Sequence, residues 1–145
     1  MSETTIRSFR DLDAWKVAMD LTVLVYEIVK NLPATERFEL SSQMRRASVS
    51  VPSNVAEGQS CGVDGRYIHH LRLAIGSLGE LATQVEIARR LRFLSDESVR
   101  NAEEHLARTG QLLHGLLRSR RRKKIRNALT LLAGFLMGVA FASLA

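Results

Sequence analysis

Apolar residues recur along most of the chain at alternating spacings of three and four. Leu12, Trp15, Met19, Thr22, Tyr26 and Val29 step by 3, 4, 3, 4 and 3, which places them on one stripe of an amphipathic helix over about residues 11–31. Asn31 and Pro33 mark its end, because proline offers no N–H and clashes with a preceding helical turn. Leu40, Met44, Ala47, Val51, Val55 and Gly58 then keep the spacing in phase straight through Pro52. The pattern predicts a second helix over about 35–59, kinked at Pro52, where the carbonyl of Ser48 loses its donor. That loss costs about 3 kcal/mol unless packing or nearby hydroxyls compensate, and Ser48, Ser50 and Ser53 are placed to help.

The segment QSCGVDG at 59–65 has the glycines of a helix-ending loop, with Asp64 as the expected N-cap of a third helix over about 65–93. Its stripe is Tyr67, Leu71, Ala74, Leu78, Leu81, Val85 and Ala88, widened by Ile68, Ile75 and Ala82. Gly76 and Gly79 each weaken an isolated helix by about 1 kcal/mol, so a neighbouring helix is expected to approach closely there. Ser95, followed by Asp96 and Glu97, opens a fourth helix carrying Val99, Ala102, Leu106, Thr109, Leu113 and Leu116. Mixed 3 and 4 spacings pack at shallow angles, and the strand-like alternation of apolar and polar residues is absent. The expected fold is all-α, an antiparallel four-helix bundle with a kinked helix 2, followed by a C-terminal transmembrane-like helix.

With 145 residues, one domain is expected, with a core that does not depend on disulfides or metals. Cys61 is the single cysteine, and no secretory leader is recognisable at the start, which fits a reducing cytoplasm. The net charge of +6 changes the picture only once it is located. Residues 118–126, RSRRRKKIR, hold seven of the 21 Lys and Arg and no carboxylate; residues 1–117 therefore carry 14 basic against 15 acidic groups, a net of −1. A nearly neutral bundle (1–117), a basic segment (118–127) and an apolar tail (128–145) follow from this partition.

The last 18 residues carry no charge and extend about 27 Å as a helix, near the roughly 30 Å hydrocarbon core of a bilayer. The expectation is a tail anchor, with the bundle on the cytoplasmic side and Arg118, Arg120, Arg121, Arg122, Lys123, Lys124 and Arg126 flanking the membrane against anionic lipid. Thr130, Gly134, Gly138 and Ala142 recur every four residues and offer a small-residue groove through which tails pack together. A helix buried within an oligomer is the alternative.

Within the body, Arg45, Arg46, Arg72, Arg89, Arg90 and Arg92 are the candidates for phosphate contacts, since guanidinium groups pair bidentately with phosphate oxygens. Against this stands the reading of a solvated helix face. Asn54 and Glu57 are read as structural polar residues: Asn54 bonding the carbonyl freed at the kink, Glu57 pairing with an arginine across an interface. His69 and His70 are adjacent and point about 100° apart on a helix, and no metal-ligand spacing exists. No cofactor motif and no nucleophile with an identifiable base suggests an enzyme.

The stretches SFRDLDAWKVAMDLTVLVY, LPATERFELSSQMRRASVSVPSNVAEG and YIHHLRLAIGSLGELATQVEIARRLRFLS, in this order, resemble the four-helix-bundle proteins of large-subunit rRNA intervening sequences, over roughly residues 8–117. That group includes the accessory protein of diversity-generating retroelements. The resemblance implies a noncatalytic homo-oligomer, commonly a pentamer, and in the retroelement branch a basic surface for nucleic acid and a reverse transcriptase. This chain departs from the pattern in its neutral body and its apolar tail. The functional expectation is a homo-oligomeric scaffold or adaptor, tail-anchored, binding nucleic acid or a nucleic-acid enzyme; the alternative is a membrane-acting oligomer that forms a pore or disrupts the bilayer.

Overall fold

The computed structural model describes the backbone of residues 7–142 and the side chains of residues 7–134. Among these, every regular element is helical: α1 (Asp13–Ile28), α2 (Leu40–Ser60), α3 (Asp64–Arg90) and α4 (Asp96–Ala142), with single 3-10 turns at Phe9–Asp11, Val29–Asn31 and Ala34–Arg37. α1 packs on α2 and α4, and α3 packs on the same two, so the four helices close around one core.

Local chemistry sets the boundaries. Ser8 and Asp11 form a capping box: the Asp11 carboxylate accepts the backbone N–H groups of Arg7 and Ser8, both at 2.8 Å. Those two bonds to the charged form hold the Asp11 carboxyl below its ordinary range. Ser95 Oγ accepts the Ser98 N–H at 3.2 Å and caps α4, as its position before Asp96 and Glu97 implies. Asp64 is the first residue of α3 and Val63 its cap, one position from expectation. At the end of α3, Arg92 N–H bonds Arg89 O and Phe93 N–H bonds Ala88 O, with Arg92 at φ 58°. This is a Schellman closure in which arginine occupies the left-handed position that glycine takes at least cost.

The stripes read from the sequence in α2, α3 and α4 are the buried ones: Met44, Ala47, Val51, Val55 and Gly58; Tyr67 through Ala88; Val99, Ala102, Leu106, Thr109 and Leu113. In α1 the reading is corrected. Leu12, Thr22 and Val29 of the predicted stripe are buried, but Trp15 is half-buried and Met19 and Tyr26 are exposed, and Ala14, Ala18, Leu21, Val25 and Ile28 face the core beside them. Ala14 and Ala18 let the first half of α1 approach its neighbours with small side chains inward, and Trp15 and Met19 lie at the flank.

α2 runs from Leu40 to Ser60 with Pro52 inside it. The carbonyl that Pro52 leaves without a donor, Ser48 O, lies 2.9 Å from Thr22 Oγ1 of α1. Asn54 does not serve it; its Nδ2 donates to Ser50 O at 2.9 Å. The hydroxyls expected to help are occupied one turn back: Ser48 Oγ donates to Arg45 O and Ser53 Oγ to Val49 O. The tight helix approach is also elsewhere than expected. Nothing lies within 4 Å of a Cβ built on Gly76 or Gly79, whereas one on Gly58 would meet Tyr67 Cδ2 at 2.6 Å.

α4 does not stop at Leu117, its last buried residue among those described, but continues as one helix through the basic run to Ala142. No helix among the described residues is long and apolar enough to cross a membrane. The expectations of a transmembrane tail and of membrane anchoring are corrected on this ground, and the pore-forming alternative that depends on them goes with them. Thr130 donates to Arg126 O and is exposed, and nothing lies within 4 Å of a Cβ at Gly134; Gly138 and Ala142 lie outside the residues whose side chains are described.

Candidate functional site

The arginines singled out in the body separate into different environments. On α3, Glu86 accepts from Arg89 Nε at 2.6 Å and from Arg90 Nε at 2.6 Å. Hydrogen bonds from Arg89 and then Arg90 hold the Glu86 carboxyl at about 2, and the same contact raises Arg89. Both guanidinium groups are thus engaged within their own helix. Arg92 is set by the turn that closes α3, and Arg72 is exposed on α3.

Arg45 and Arg46 differ. They lie on α2 beside Arg37, which the 3-10 turn Ala34–Arg37 brings to the same side, and the three line an open groove of about 710 Å³ with Tyr26, Phe38, Ser42, Val49 and Ser50. The Arg45 guanidinium lies 5.6 Å from the Tyr26 ring and that of Arg37 5.4 Å from the Phe38 ring. Arg46 Nη1 donates to Ser42 Oγ at 3.3 Å. No carboxylate lines this groove, and Glu36, the nearest in the turn, accepts the Leu40 N–H. Phe38 is 80% exposed and Tyr26 44% exposed. Sequence reasoning found the arginines but missed Arg37 and Phe38, which follow Pro33 where no helical period exposes them as a pair. Tyr26 was assigned to the core stripe of α1.

The basic run also divides. Arg120 is a packing residue: its side chain is only 20% exposed, lies 3.5 Å from Asp64 Oδ1, donates to Gln59 Oε1 at 3.1 Å and stacks 4.4 Å from the Tyr67 ring. Burial pushes the Tyr67 phenol up, opposed in part by this guanidinium. Arg118, Arg121, Arg122, Lys123, Lys124 and Arg126 are exposed. Arg118, Arg122, Lys123 and Arg126 share one face of α4 with Gly115 and Ser119. Among the described residues Arg120 is the only member of the run in an ion pair.

Asn54 and Glu57 belong to a polar seam between α2 and α3. His70 Nδ1 lies 3.2 Å from Asn54 Oδ1 and 3.4 Å from Glu57 Oε2, while Ser77 Oγ donates to Ser50 Oγ at 2.8 Å. Within the chain Glu57 faces a histidine instead of an arginine. Among the described residues, no three His, Cys, Asp or Glu side chains group to hold a metal ion.

Comparison with known proteins fits this architecture. A crystal structure of a protein of unknown function from the S23 ribosomal protein family, from Bacteroides thetaiotaomicron VPI-5482, superposes with a TM-score of 0.67 at 18% identity, covering 72% of this chain and 95% of that one. At that identity the likeness concerns the fold. No curated protein matches the chain. The family model for the 23S rRNA-intervening sequence protein matches residues 10–115, which take in α1 to α3 and the first part of α4, and the chain belongs to that family.

Proposed function

We propose that this protein is a noncatalytic, self-associating adaptor that binds nucleic acid, with RNA the class its family name suggests. The observation that carries the proposal is the exposed cationic helix: six Lys and Arg side chains over residues 118–126 of α4, beyond the last buried residue and with no carboxylate among them. Such an array attracts a phosphate backbone through its charge density and the release of condensed counterions, without reading sequence. The near-neutral body then serves as the platform from which the array projects. For self-association, the outer side of α3 offers exposed Leu73 and Ile87 flanking Gly76 and Gly79, positions open enough for a second backbone to approach.

Filter binding of RNA across a salt series tests the reading. Contact with all six exposed cations gives a slope of log affinity against log salt of about −4 to −5 as an upper bound. Replacing Arg118, Arg121, Arg122, Lys123, Lys124 and Arg126 together by glutamine should abolish retention. Wild-type protein that retains no RNA even at low salt would end the proposal.

A further inference from the structure

The groove between the end of α1 and the start of α2 combines two features that the cationic helix lacks: exposed aromatic faces and guanidinium groups held beside them. The geometry points to this groove as a binding site for single-stranded nucleic acid, with unpaired bases stacking on Phe38 and Tyr26 and phosphates held by Arg37, Arg45 and Arg46. The inference rests on the proposed nucleic-acid function and adds to it a preference for strands whose bases are free.

An aromatic side chain exposed to 80% at a turn, as Phe38 is, contributes little to a core and offers a π face to any base. Tyr26 lines the same groove from α1 and is also exposed. Arg37 and Arg45 lie over these rings, and each guanidinium covers at most one face of its ring. Neither they nor Arg46 take part in an ion pair among the described residues. Ser42 also lines the groove, its Oγ accepting from Arg46 Nη1 at 3.3 Å and its O–H left to donate to a base edge. A volume of about 710 Å³ accommodates more than one nucleotide, and the open shape admits a strand passing through.

Charge complementarity selects this occupant over an apolar helix. Three cations and no carboxylate line the groove, so an uncharged partner would bury guanidinium groups without counter-charges. Duplex RNA presents phosphates too, but its bases are stacked on each other and cannot reach the rings.

The test uses full-length protein, a labelled oligoadenylate strand and an RNA duplex of the same length, with fluorescence anisotropy as the readout. Phe38→Ala and Tyr26→Ala should each weaken oligoadenylate binding about tenfold, with duplex affinity and the salt slope unchanged. Phe38→Trp should retain the affinity for the single strand. Both alanine changes are at exposed positions, and thermal melts of each variant check that it folds before binding is compared. Equal losses on both probes, or no loss on either, overturn the inference. So does a fall in assembly mass on Phe38→Ala with oligoadenylate affinity intact, which identifies a second copy of the chain as the occupant. If wild-type protein binds neither probe, the proposed function fails with it; if glutamine substitution of the 118–126 cations abolishes binding while the groove variants are silent, only this inference falls.

Discussion

Thr22→Val isolates the contact that lets a proline stay inside α2. The valine keeps the shape of the buried threonine and removes one hydroxyl. That hydroxyl lies 2.8 Å from Ala18 O and 2.9 Å from Ser48 O. Ala18 O keeps its regular donor in α1, so its loss is small. Ser48 O has no such donor, because residue 52 is proline, and Ser48 is fully buried. Stranding a buried acceptor costs about 1–3 kcal/mol. We expect Thr22→Val to destabilise by about 2 kcal/mol, a fall in melting temperature of roughly 4–8 °C for a chain of this size. The decisive measurement is a double-mutant cycle with Pro52→Ala, followed by urea unfolding monitored by far-UV circular dichroism. Alanine restores the N–H that reaches Ser48 O, so in that background Thr22→Val should cost less than about 0.5 kcal/mol, a coupling energy of about 1.5 kcal/mol. Whatever Pro52→Ala does alone, through lost ring packing or gained helix propensity, cancels from the cycle. If Thr22→Val costs the same in both backgrounds to within about 0.3 kcal/mol, the hydroxyl does not serve the proline-freed carbonyl and the account of α2 fails.

Gly58→Ala and Gly115→Ala should move stability in opposite directions: at Gly58 a Cβ meets Tyr67 Cδ2 at 2.6 Å and overpacking of about 1–3 kcal/mol exceeds the gain in propensity, while at Gly115 a Cβ meets only the far end of Arg118 at 4.0 Å and the gain of about 0.5–1 kcal/mol stands. Thermal melts that shift the same way for both would contradict this. Arg92→Gly should stabilise by about 1 kcal/mol, since glycine adopts φ 58° without the steric cost an arginine bears, and an unchanged urea midpoint counts against it. Arg120→Met should lower stability by about 1–2 kcal/mol through lost contacts with Gln59, Asp64 and Tyr67, whereas Arg121→Met should be neutral within about 0.5 kcal/mol. Carbon-detected NMR of the Glu86 carboxyl should give a midpoint at about 2, so that whatever this carboxylate adds to stability is present above its ordinary value of 4.5 and is lost as pH falls toward 2; a midpoint near 4.5 would show that the Arg89 and Arg90 bonds do not persist in solution.

Three of the four buried faces were legible because a single stripe of large apolar residues ran along each helix and nothing competed with it. In α1 two stripes competed. Trp15, Met19 and Tyr26 carry more apolar surface than Ala14 and Ala18, yet the alanines are inside. Side-chain size argues for burial only when the neighbouring helix stands far enough away, and that distance is a property of the assembled core. The partner of Ser48 O was hidden for a similar reason: Thr22 lies 26 residues away, and no local pattern links it to Pro52. The groove could be read only in part. Arg45 and Arg46 announced themselves as a basic pair on α2, but their relation to Phe38 depends on the turn after Pro33, and their relation to Tyr26 on which way α1 faces. Arg120 counted as one more charge in a run until α4 proved long enough to lay it across Tyr67.

The continuity of α4 ties these observations to the proposed function. A flexible basic tail binds polyanions by losing conformational freedom as it does so. Here the cations lie on a helix whose first half is fixed in the core through Leu106, Thr109 and Leu113, and whose exit is held by Arg120 on Asp64 and Gln59. Six exposed charges along about 13 Å of helix approach the density of one phosphate per roughly 1.7 Å in a duplex. The same array opposes its own helix: Arg118, Arg122 and Arg126 are like charges at successive i, i+4 positions, each pair unfavourable by about 0.2–0.5 kcal/mol. A bound phosphate backbone removes that repulsion. Under the proposed function, binding and helix formation beyond Leu117 are therefore linked, and by reciprocity a proline placed after Arg120 should weaken RNA retention in filter binding even with every cation still in the chain.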